Sequence, residues 1–321
     1  MDIIWGDITQ YTEIAWGWPI AIYLFLAGLS GGALITALLV KWIEGNETPP
    51  WDGLIKAGAL IAPPTIIIGL ALLIVDLGKP LSFYLLMLHY QITSVMSIGV
   101  ILLSIYTPLA LLFSAIIFKK PLSEQGWSAP WFKPLLPLVE RLEQTRSLEG
   151  IMCVLAVGVA TYTGFLLSAL VAKPLFNTPI LPLLFLVSGI SAGIAANILV
   201  GLTCFRSTVD EQNLKYLLAL DLRVIPFELF MLFLLFTGMY FQGGQYYLIA
   251  KEALTVGVWA KVFWIGVVGI GLILPVAIAV TALHGHVYRL RTVLFNSSIA
   301  LVGVVLLRFY FLYAGQIFTG S

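Results

Sequence analysis

Eight long apolar segments constrain this chain more than any other feature of its sequence. In chain order they are Trp18–Trp42, Leu54–Val75, Ile92–Phe118, Gly150–Leu170, Leu181–Cys204, Leu222–Phe241, Trp259–Ala282 and Leu294–Phe318. A helix needs about 20 apolar residues to cross the hydrocarbon core of a bilayer. Charged residues make up 10% of the chain, against about 25% in soluble domains. We therefore predict an all-α polytopic membrane protein with eight transmembrane helices.

The distribution of Lys and Arg predicts the orientation of these helices. Eight crossings place both termini on the same side of the membrane. Four of the 17 basic residues fall on that side and twelve on the other. Because cytoplasmic loops carry the excess of Lys and Arg, we predict that both termini are periplasmic and that residues 1–17 form a periplasmic segment. The implied location is a bacterial inner membrane, and a net charge of +1 gives no basic field for nucleic acid.

A short internal repeat indicates how the helices are grouped. Gly28-Leu-Ser30-Gly-Gly32 in the first segment and Gly189-Ile-Ser191-Ala-Gly193 in the fifth share the pattern Gly-x-Ser-x-Gly. Small residues at this spacing allow membrane helices to pack closely, and segments four crossings apart run in the same direction. We therefore predict two parallel-related four-helix bundles, formed by residues 18–170 and 171–321.

Residues that could hold a redox metal are scarce. The chain has three histidines, His89, His284 and His286, and two cysteines that lie far apart, Cys153 and Cys204. A membrane haem b uses two facing axial histidines, and an iron–sulfur cluster uses a group of cysteines. We interpret His284 and His286 as residues of a cytoplasmic loop. We expect no haem, no iron–sulfur cluster and no other metal site in this chain.

Polar side chains of the first predicted bundle gather towards the periplasmic ends of their helices. Tyr23 lies in the outer third of the first segment, and Asp76 ends the second. His89 comes just before the third segment, and Tyr162 lies about two turns below the outer end of the fourth. We expect these four side chains to converge on one pocket.

Such a pocket suits a quinol headgroup, which carries two oxygens and releases two protons when it is oxidised. A histidine can accept a proton near neutral pH, and a neighbouring carboxylate can orient it and stabilise its charged form. We therefore predict His89 and Asp76 as catalytic residues. The predicted quinone contacts are Tyr23, Tyr162, Trp18 and Ser94. Because Trp and Tyr are also common at membrane interfaces without a ligand, simple anchoring remains an alternative for the aromatic residues.

Two charged residues lie deep inside later segments, Glu228 in the sixth and Arg308 in the eighth. Ionisable groups at membrane depth are costly, so a functional role is the default hypothesis. In the structural alternative, Arg308 pairs with Glu228 or with backbone carbonyls and holds helices together. In the functional alternative, the two residues form part of a proton or charge path.

Several stretches carry a resemblance to one known family. They begin at Trp18 (Trp18-Pro-Ile-Ala-Ile-Tyr-Leu-Phe-Leu), His89 (His89-Tyr-Gln-Ile-Thr-Ser-Val-Met-Ser), Tyr162 (Tyr162-Thr-Gly-Phe-Leu-Leu-Ser-Ala-Leu), Asn177 (Asn177-Thr-Pro-Ile-Leu-Pro), Ser188 (Ser188-Gly-Ile-Ser-Ala-Gly) and Leu307 (Leu307-Arg-Phe-Tyr-Phe-Leu-Tyr-Ala-Gly-Gln). In order and extent they resemble the membrane subunits of formate-dependent nitrite reductase and polysulfide reductase complexes, the NrfD/PsrC family. The resemblance is greatest to the nitrite-reductase type.

The resemblance implies a quinol-oxidising or quinone-reducing subunit without a redox centre of its own, which binds a four-cluster ferredoxin-like iron–sulfur protein on its periplasmic side. Electrons from menaquinol would then reach c-type cytochromes that reduce nitrite or, in the polysulfide case, a molybdopterin subunit. Tyr162 matches the family's quinone-contacting tyrosine, and Arg308 matches an arginine of its last repeat helix. Tyr23 and Ile20 stand where a polysulfide-type relative has a histidine and an asparagine.

Two alternatives belong to other functional classes. A transporter or channel would also fit parallel repeats and proline-interrupted segments such as those with Pro63, Pro64 and Pro275. A passive membrane anchor would leave Asp76, Glu228 and Arg308 with a packing role alone.

Overall fold

The computed structural model describes residues 16–45, 51–76, 84, 91, 94–124, 129–143, 146–285 and 290–318. The α-helices in these ranges are α1 (Trp18–Glu44), α2 (Gly53–Asp76), α3 (Val95–Ile117), α4 (Lys119–Glu124), α5 (Ala129–Phe132), α6 (Leu136–Glu143), α7 (Arg146–Ser168), α8 (Ile180–Cys204), α9 (Glu211–Gln242), α10 (Gly244–Thr255), α11 (Gly257–Lys261), α12 (Leu274–Gly285) and α13 (Leu290–Ile317). A π-helix covers Val262–Ile273 between α11 and α12, and 3₁₀ turns cover Lys133–Leu135 and Arg206–Thr208.

Seven helices in the described ranges are long and apolar enough to cross a membrane. They are α1, α2, α3, the Ser147–Ser168 part of α7, α8, the continuous stretch Gly257–Thr281 and α13. Each coincides with a predicted segment, so the prediction of an all-helical, multi-pass protein is confirmed. The remaining predicted segment, Leu222–Phe241, lies within the 32-residue helix α9, which is not among the seven. The eighth crossing stays a prediction.

Helices α1 and α8 pack against each other at the centre of the molecule. About three quarters of the apolar window is buried in each of them (78% and 72%), against 33–44% in the other five. The repeated glycines meet at this contact. A Cβ on Gly32 would overlap the Gly189 carbonyl oxygen, and one on Gly193 would overlap the Gly32 carbonyl carbon. The close-packing interpretation of the repeat is therefore confirmed.

The other long helices surround this central pair. Helix α1 packs on α2 and α7, and α3 packs on the same two helices. Helix α8 packs on α9 and α13, and α13 packs on the π-helix. Because α8 also contacts α2 and α7, the contacts do not separate two independent bundles. The division at residues 18–170 and 171–321 stays a prediction.

Hydrogen bonds join the two ends of the described chain. The Trp16 backbone N–H donates to Gln316 Oε1 (2.8 Å), and Gln316 Nε2 donates to the Trp16 carbonyl (3.1 Å). Lys173 Nζ, just before α8, donates to the Gln316 carbonyl (3.1 Å). The starts of α1 and α8 and the end of α13 therefore lie on one side, called here the terminal side, and the other is called the opposite side. That the terminal side is periplasmic stays a prediction.

Candidate functional site

Two of the predicted site residues, Tyr23 and Tyr162, lie near each other below the terminal side. At 1.5 Å per residue, Tyr23 lies about 8 Å below the start of α1 and Tyr162 about 9 Å below the end of α7. Their phenol groups are close enough to interact electrostatically. The Tyr162 ring occupies the space beside Gly99 of α3, and the Tyr23 ring lies against Gly69 of α2. Four helices thus meet around these two tyrosines, and each ring packs against a glycine; we call this region the tyrosine pocket.

The Tyr23 side chain is fully buried, and its hydroxyl has no hydrogen-bond partner among the described residues. A buried polar group without a partner costs about 1–3 kcal/mol, so such groups usually have a structural or functional reason. Tyr162 is also buried, at 7% exposure. The Tyr23 hydroxyl is therefore a buried donor, and a ligand oxygen could accept its hydrogen bond.

The other predicted site residues are more exposed than the two tyrosines. Trp18, at the start of α1, is 56% exposed. Ser94 is half-buried and immediately precedes α3. Its backbone N–H donates to the Gln91 carbonyl (2.8 Å). Asp76 is exposed at the end of α2. His89 lies outside the described residues, so the convergence of Asp76 and His89 on the tyrosines stays a prediction.

Arg308 is fully buried where α1, α8 and α13 meet. Its Nη2 donates to the Phe185 carbonyl (3.0 Å) and to Ser188 Oγ (2.7 Å), and its guanidinium carbon lies 3.8 Å from the Phe185 ring centroid. A Cβ on Gly28 would lie 3.3 Å from Nη2. The guanidinium therefore uses a backbone carbonyl, as one of the sequence interpretations expected. Its Nε and Nη1 have no hydrogen-bond partner in the described part of the chain.

Two carboxyl groups of α9 continue this buried polar region. Glu228 is 1% exposed and interacts electrostatically with Arg308. Its Oε2 has no hydrogen-bond partner in the ranges described. Asp221, two turns earlier on the same face, accepts a hydrogen bond from Ser191 Oγ of α8 (2.9 Å). We call Asp221, Glu228, Arg308, Ser188 and Ser191 the charged cluster.

Asp221 is the member of the charged cluster that sequence reasoning missed. The predicted sixth segment began at Leu222, which placed Asp221 at the membrane surface. Helix α9 instead begins at Glu211, about three turns earlier, so Asp221 lies within the helix and is 6% exposed. The spacing could have revealed it, because residues seven apart share one face of a helix. Asp221 and Glu228 have that spacing.

Of the three histidines, the structure describes His284 alone, and the expected absence of a metal stays a prediction. His284 lies inside α12, so its assignment to a loop is wrong, because the helix extends beyond the predicted apolar segment. His286 lies outside the described residues. Within the ranges that the structure describes, no group of three or more His, Cys, Asp or Glu side chains is arranged to hold a metal ion.

Comparison with known proteins places these features in a family context. The family model described as "Polysulphide reductase, NrfD" matches residues 6–320. The C subunit of polysulfide reductase from Wolinella succinogenes is 54% identical over 321 residues, covering 100% of this chain and 100% of the relative. Protein NrfD of Escherichia coli is 37% identical over 315 residues, covering 96% of this chain and 97% of the relative. A NrfD homologue of Haemophilus influenzae is 36% identical over 307 residues, or 95% of each protein.

Proposed function

Because the chain belongs to the NrfD family of membrane subunits of quinol-linked respiratory complexes, we propose that it oxidises quinol and passes the electrons to a partner protein. Its seven apolar helices and its family make it a multi-pass protein of a bacterial inner membrane. The proposal specifies the direction of electron flow, the site and the partner.

The tyrosine pocket carries the proposal for the site. The buried Tyr23 hydroxyl lacks a partner among the described residues and interacts electrostatically with Tyr162. A headgroup oxygen could therefore accept a hydrogen bond from this hydroxyl. In the proposed site Tyr23 and Tyr162 contact the headgroup of menaquinol, and Trp18 and Ser94 lie at the rim towards the terminal side. The quinone tail lies between the helices or in lipid.

Oxidation of one quinol releases two electrons and two protons. We assign proton acceptance to His89, with Asp76 stabilising its charged form, because a carboxylate beside an imidazole favours the imidazolium. Asp76 is exposed at the end of α2, so protons transferred there would reach the terminal side. The electrons leave to a four-cluster ferredoxin-like iron–sulfur protein bound on that side, since the tyrosine pocket lies only about 9 Å below the helix ends.

Two terminal electron acceptors are candidates for the end of this electron path. The full-length identity of 54% to a polysulfide reductase subunit, against 36–37% for the two NrfD proteins, favours a polysulfide-type complex with a molybdopterin subunit. Nitrite reduction through c-type cytochromes, which the sequence resemblance favoured, is the second candidate. Spectra and metal content of the purified complex separate the two, because c-type haem has a characteristic absorbance and a molybdoenzyme contains molybdenum.

The charged cluster provides a second element of the proposal. Glu228 and Arg308 would connect the region of quinol oxidation to the opposite side as a proton or charge path, with Asp221 as a further step along α9. Their complete burial supports this role, since an ionisable group at membrane depth is retained at a cost. Glu228→Gln is expected to change the number of protons moved per quinol, measured in sealed vesicles. An unchanged stoichiometry contradicts the path.

The site is tested by removing single hydroxyls. We expect Tyr23→Phe and Tyr162→Phe each to lower quinol-dependent reduction of the acceptor at least about tenfold, which corresponds to roughly 1.4 kcal/mol of lost stabilisation. The matched control is Tyr313→Phe, a half-buried tyrosine near the terminal end of α13, which should retain the wild-type rate. Unchanged rates in both Tyr23→Phe and Tyr162→Phe would refute the site. Ion or solute flux through the isolated protein in liposomes would instead support the transporter alternative.

A further inference from the structure

A basic cavity of about 410 Å³ lies on the opposite side of the molecule, far from the tyrosine pocket. It lies where the start of α2, the junction of α3 with α4 and the end of α8 come together. The side chains that shape it are three lysines, Lys56, Lys119 and Lys120, and three aromatic residues, Trp51, Phe118 and Phe205. The Phe118 and Phe205 rings lie 6.0 Å apart, centroid to centroid, and join the two halves of the chain there.

The described lining of the cavity is basic, because it contains three lysines and no acidic residue. Two carboxylates near Trp51 have other partners. Glu149 accepts from Lys41 Nζ (2.5 Å), whose nitrogen lies 4.6 Å from the Trp51 ring centroid. Asp52 accepts from Asn213 Nδ2 (2.8 Å) and from backbone N–H groups. The described lining of the cavity therefore favours an anionic ligand.

The surface next to the cavity is apolar and suited to acyl chains. Leu60 lies one turn beyond Lys56 on the same face of α2 and is 44% exposed. Leu111 lies two turns before Phe118 on the same face of α3 and is 47% exposed. Lys120 is exposed, so the cavity reaches the molecular surface. A ligand with an anionic head and apolar tails would match both surfaces at once.

We propose that this cavity binds the phosphate headgroup of an anionic phospholipid, with its acyl chains along Leu60 and Leu111. Basic pockets between membrane helices on the cytoplasmic side bind such headgroups, and the opposite side carries the excess of Lys and Arg. A free phosphate shares the charge but not the tails. The lipid bridges helices from both halves of the chain at a position where their own side chains leave a cavity.

The test measures lipid binding to the full-length protein purified in detergent, by native mass spectrometry. The probes are phosphatidylglycerol, phosphatidylcholine with the same acyl chains, and inorganic phosphate. We expect phosphatidylglycerol to bind in preference to both. Each of Lys56→Gln and Lys120→Gln should weaken its binding about fivefold and the double variant about 25-fold, since a basic residue near anionic lipid contributes about that much.

Matched variants distinguish specific lipid binding at the cavity from a general effect of surface charge. Lys133→Gln removes the same charge from an exposed position in the segment between α3 and α7 and should leave lipid binding unchanged. Lys120→Arg keeps the charge and should retain most of the binding. Equal binding of phosphatidylcholine, equal weakening in Lys133→Gln, or binding of inorganic phosphate as tight as that of the lipid would each overturn the proposal.

Discussion

The two serines of the repeated glycine motif occupy equivalent places in α1 and α8 but have different partners. Ser30 Oγ donates to the Ala62 carbonyl of α2 (2.6 Å) and shares a hydrogen bond with Tyr106 Oη (2.9 Å). Ser191 Oγ donates to the Asp221 carboxylate of α9 (2.9 Å). The same motif therefore supports a neutral hydroxyl network in the first half and a carboxylate in the second.

The two halves of the chain also differ in where their buried charged residues lie along the helices. Among the described buried residues, the charged groups in the middle of the helices are Asp221, Glu228 and Arg308, all in the second half. The buried charges of the first half, Lys41 and Asp52, lie at the opposite end. The two repeat helices thus pack closely on each other but bind different groups through their motif serines, which agrees with the proposed quinol binding in one half and charge transfer in the other.

The largest effect is expected at the glycine contact that holds the two halves in register. Gly193→Ala places a Cβ onto backbone atoms of α1, which cannot move aside as a flexible side chain can, so overpacking is severe. We expect less than about a tenth of the wild-type yield of folded protein in membranes. Gly238→Ala is the control, because nothing lies within 4 Å of a Cβ there. Equal yields would show that the halves do not depend on this contact.

Breaking the charged cluster should have the next largest effect. Arg308→Met is expected to lower the free energy of unfolding by about 3–5 kcal/mol, because removing one partner leaves the other buried without compensation. Adding Glu228→Gln should restore a large part of this loss without restoring quinol turnover. The exposed Arg223 of α9 provides the control Arg223→Met. If the double variant is less stable than Arg308→Met, the two groups do not compensate each other.

The paired serines allow a direct comparison of the halves. Ser191→Ala deprives a buried carboxyl group of its partner, and we expect a loss of about 2 kcal/mol in the free energy of unfolding. Ser30→Ala deprives a buried tyrosine hydroxyl and should cost about 1 kcal/mol, since a buried carboxyl group left without its partner is costlier than a hydroxyl. Denaturant unfolding of both variants in the same micelles measures the difference. The reverse order would contradict the contrast drawn between the halves.

The smallest loss of stability is expected at Tyr23. Because its buried hydroxyl has no partner among the described residues, Tyr23→Phe should not lower the free energy of unfolding and should raise it by up to about 1–3 kcal/mol. Tyr106→Phe, which removes the hydrogen bond to Ser30, should cost about 1 kcal/mol. A loss above 1 kcal/mol in Tyr23→Phe would indicate that the hydroxyl serves the fold instead of a ligand.

Much of the fold was predictable because burial in lipid leaves a strong local signal. Hydrogen bonding within the helix satisfies the backbone in a bilayer, so long apolar runs alone located seven helices. The exception is informative: α9 begins about three turns before the predicted segment, because polar residues such as Asn213 and Asp221 are buried against protein instead of exposed to water. Hydropathy does not distinguish these two environments.

The candidate sites were predictable only in part. Tyr23 and Tyr162 were expected together from the depth of each in its helix, and they lie at similar depths below the terminal side; that they share one site stays a prediction. The Ser191–Asp221 and Ser30–Tyr106 hydrogen bonds were not expected, since they join residues 30 and 76 positions apart. The basic cavity was also absent from the sequence analysis, because Lys56, Lys119 and Phe205 come from three separate stretches.

By itself the sequence determined that the protein is a multi-pass helical one, that two of its helices are related by a glycine repeat, and that few metal ligands are available. Those properties depend on local composition and spacing. Only the tertiary structure decided which partner each buried polar group has: Arg308 with a carbonyl of α8, Ser191 with Asp221, and Tyr23 with none in the described residues. The physical reason is that such partners are selected by helix packing across distant parts of the sequence, and no local pattern records them.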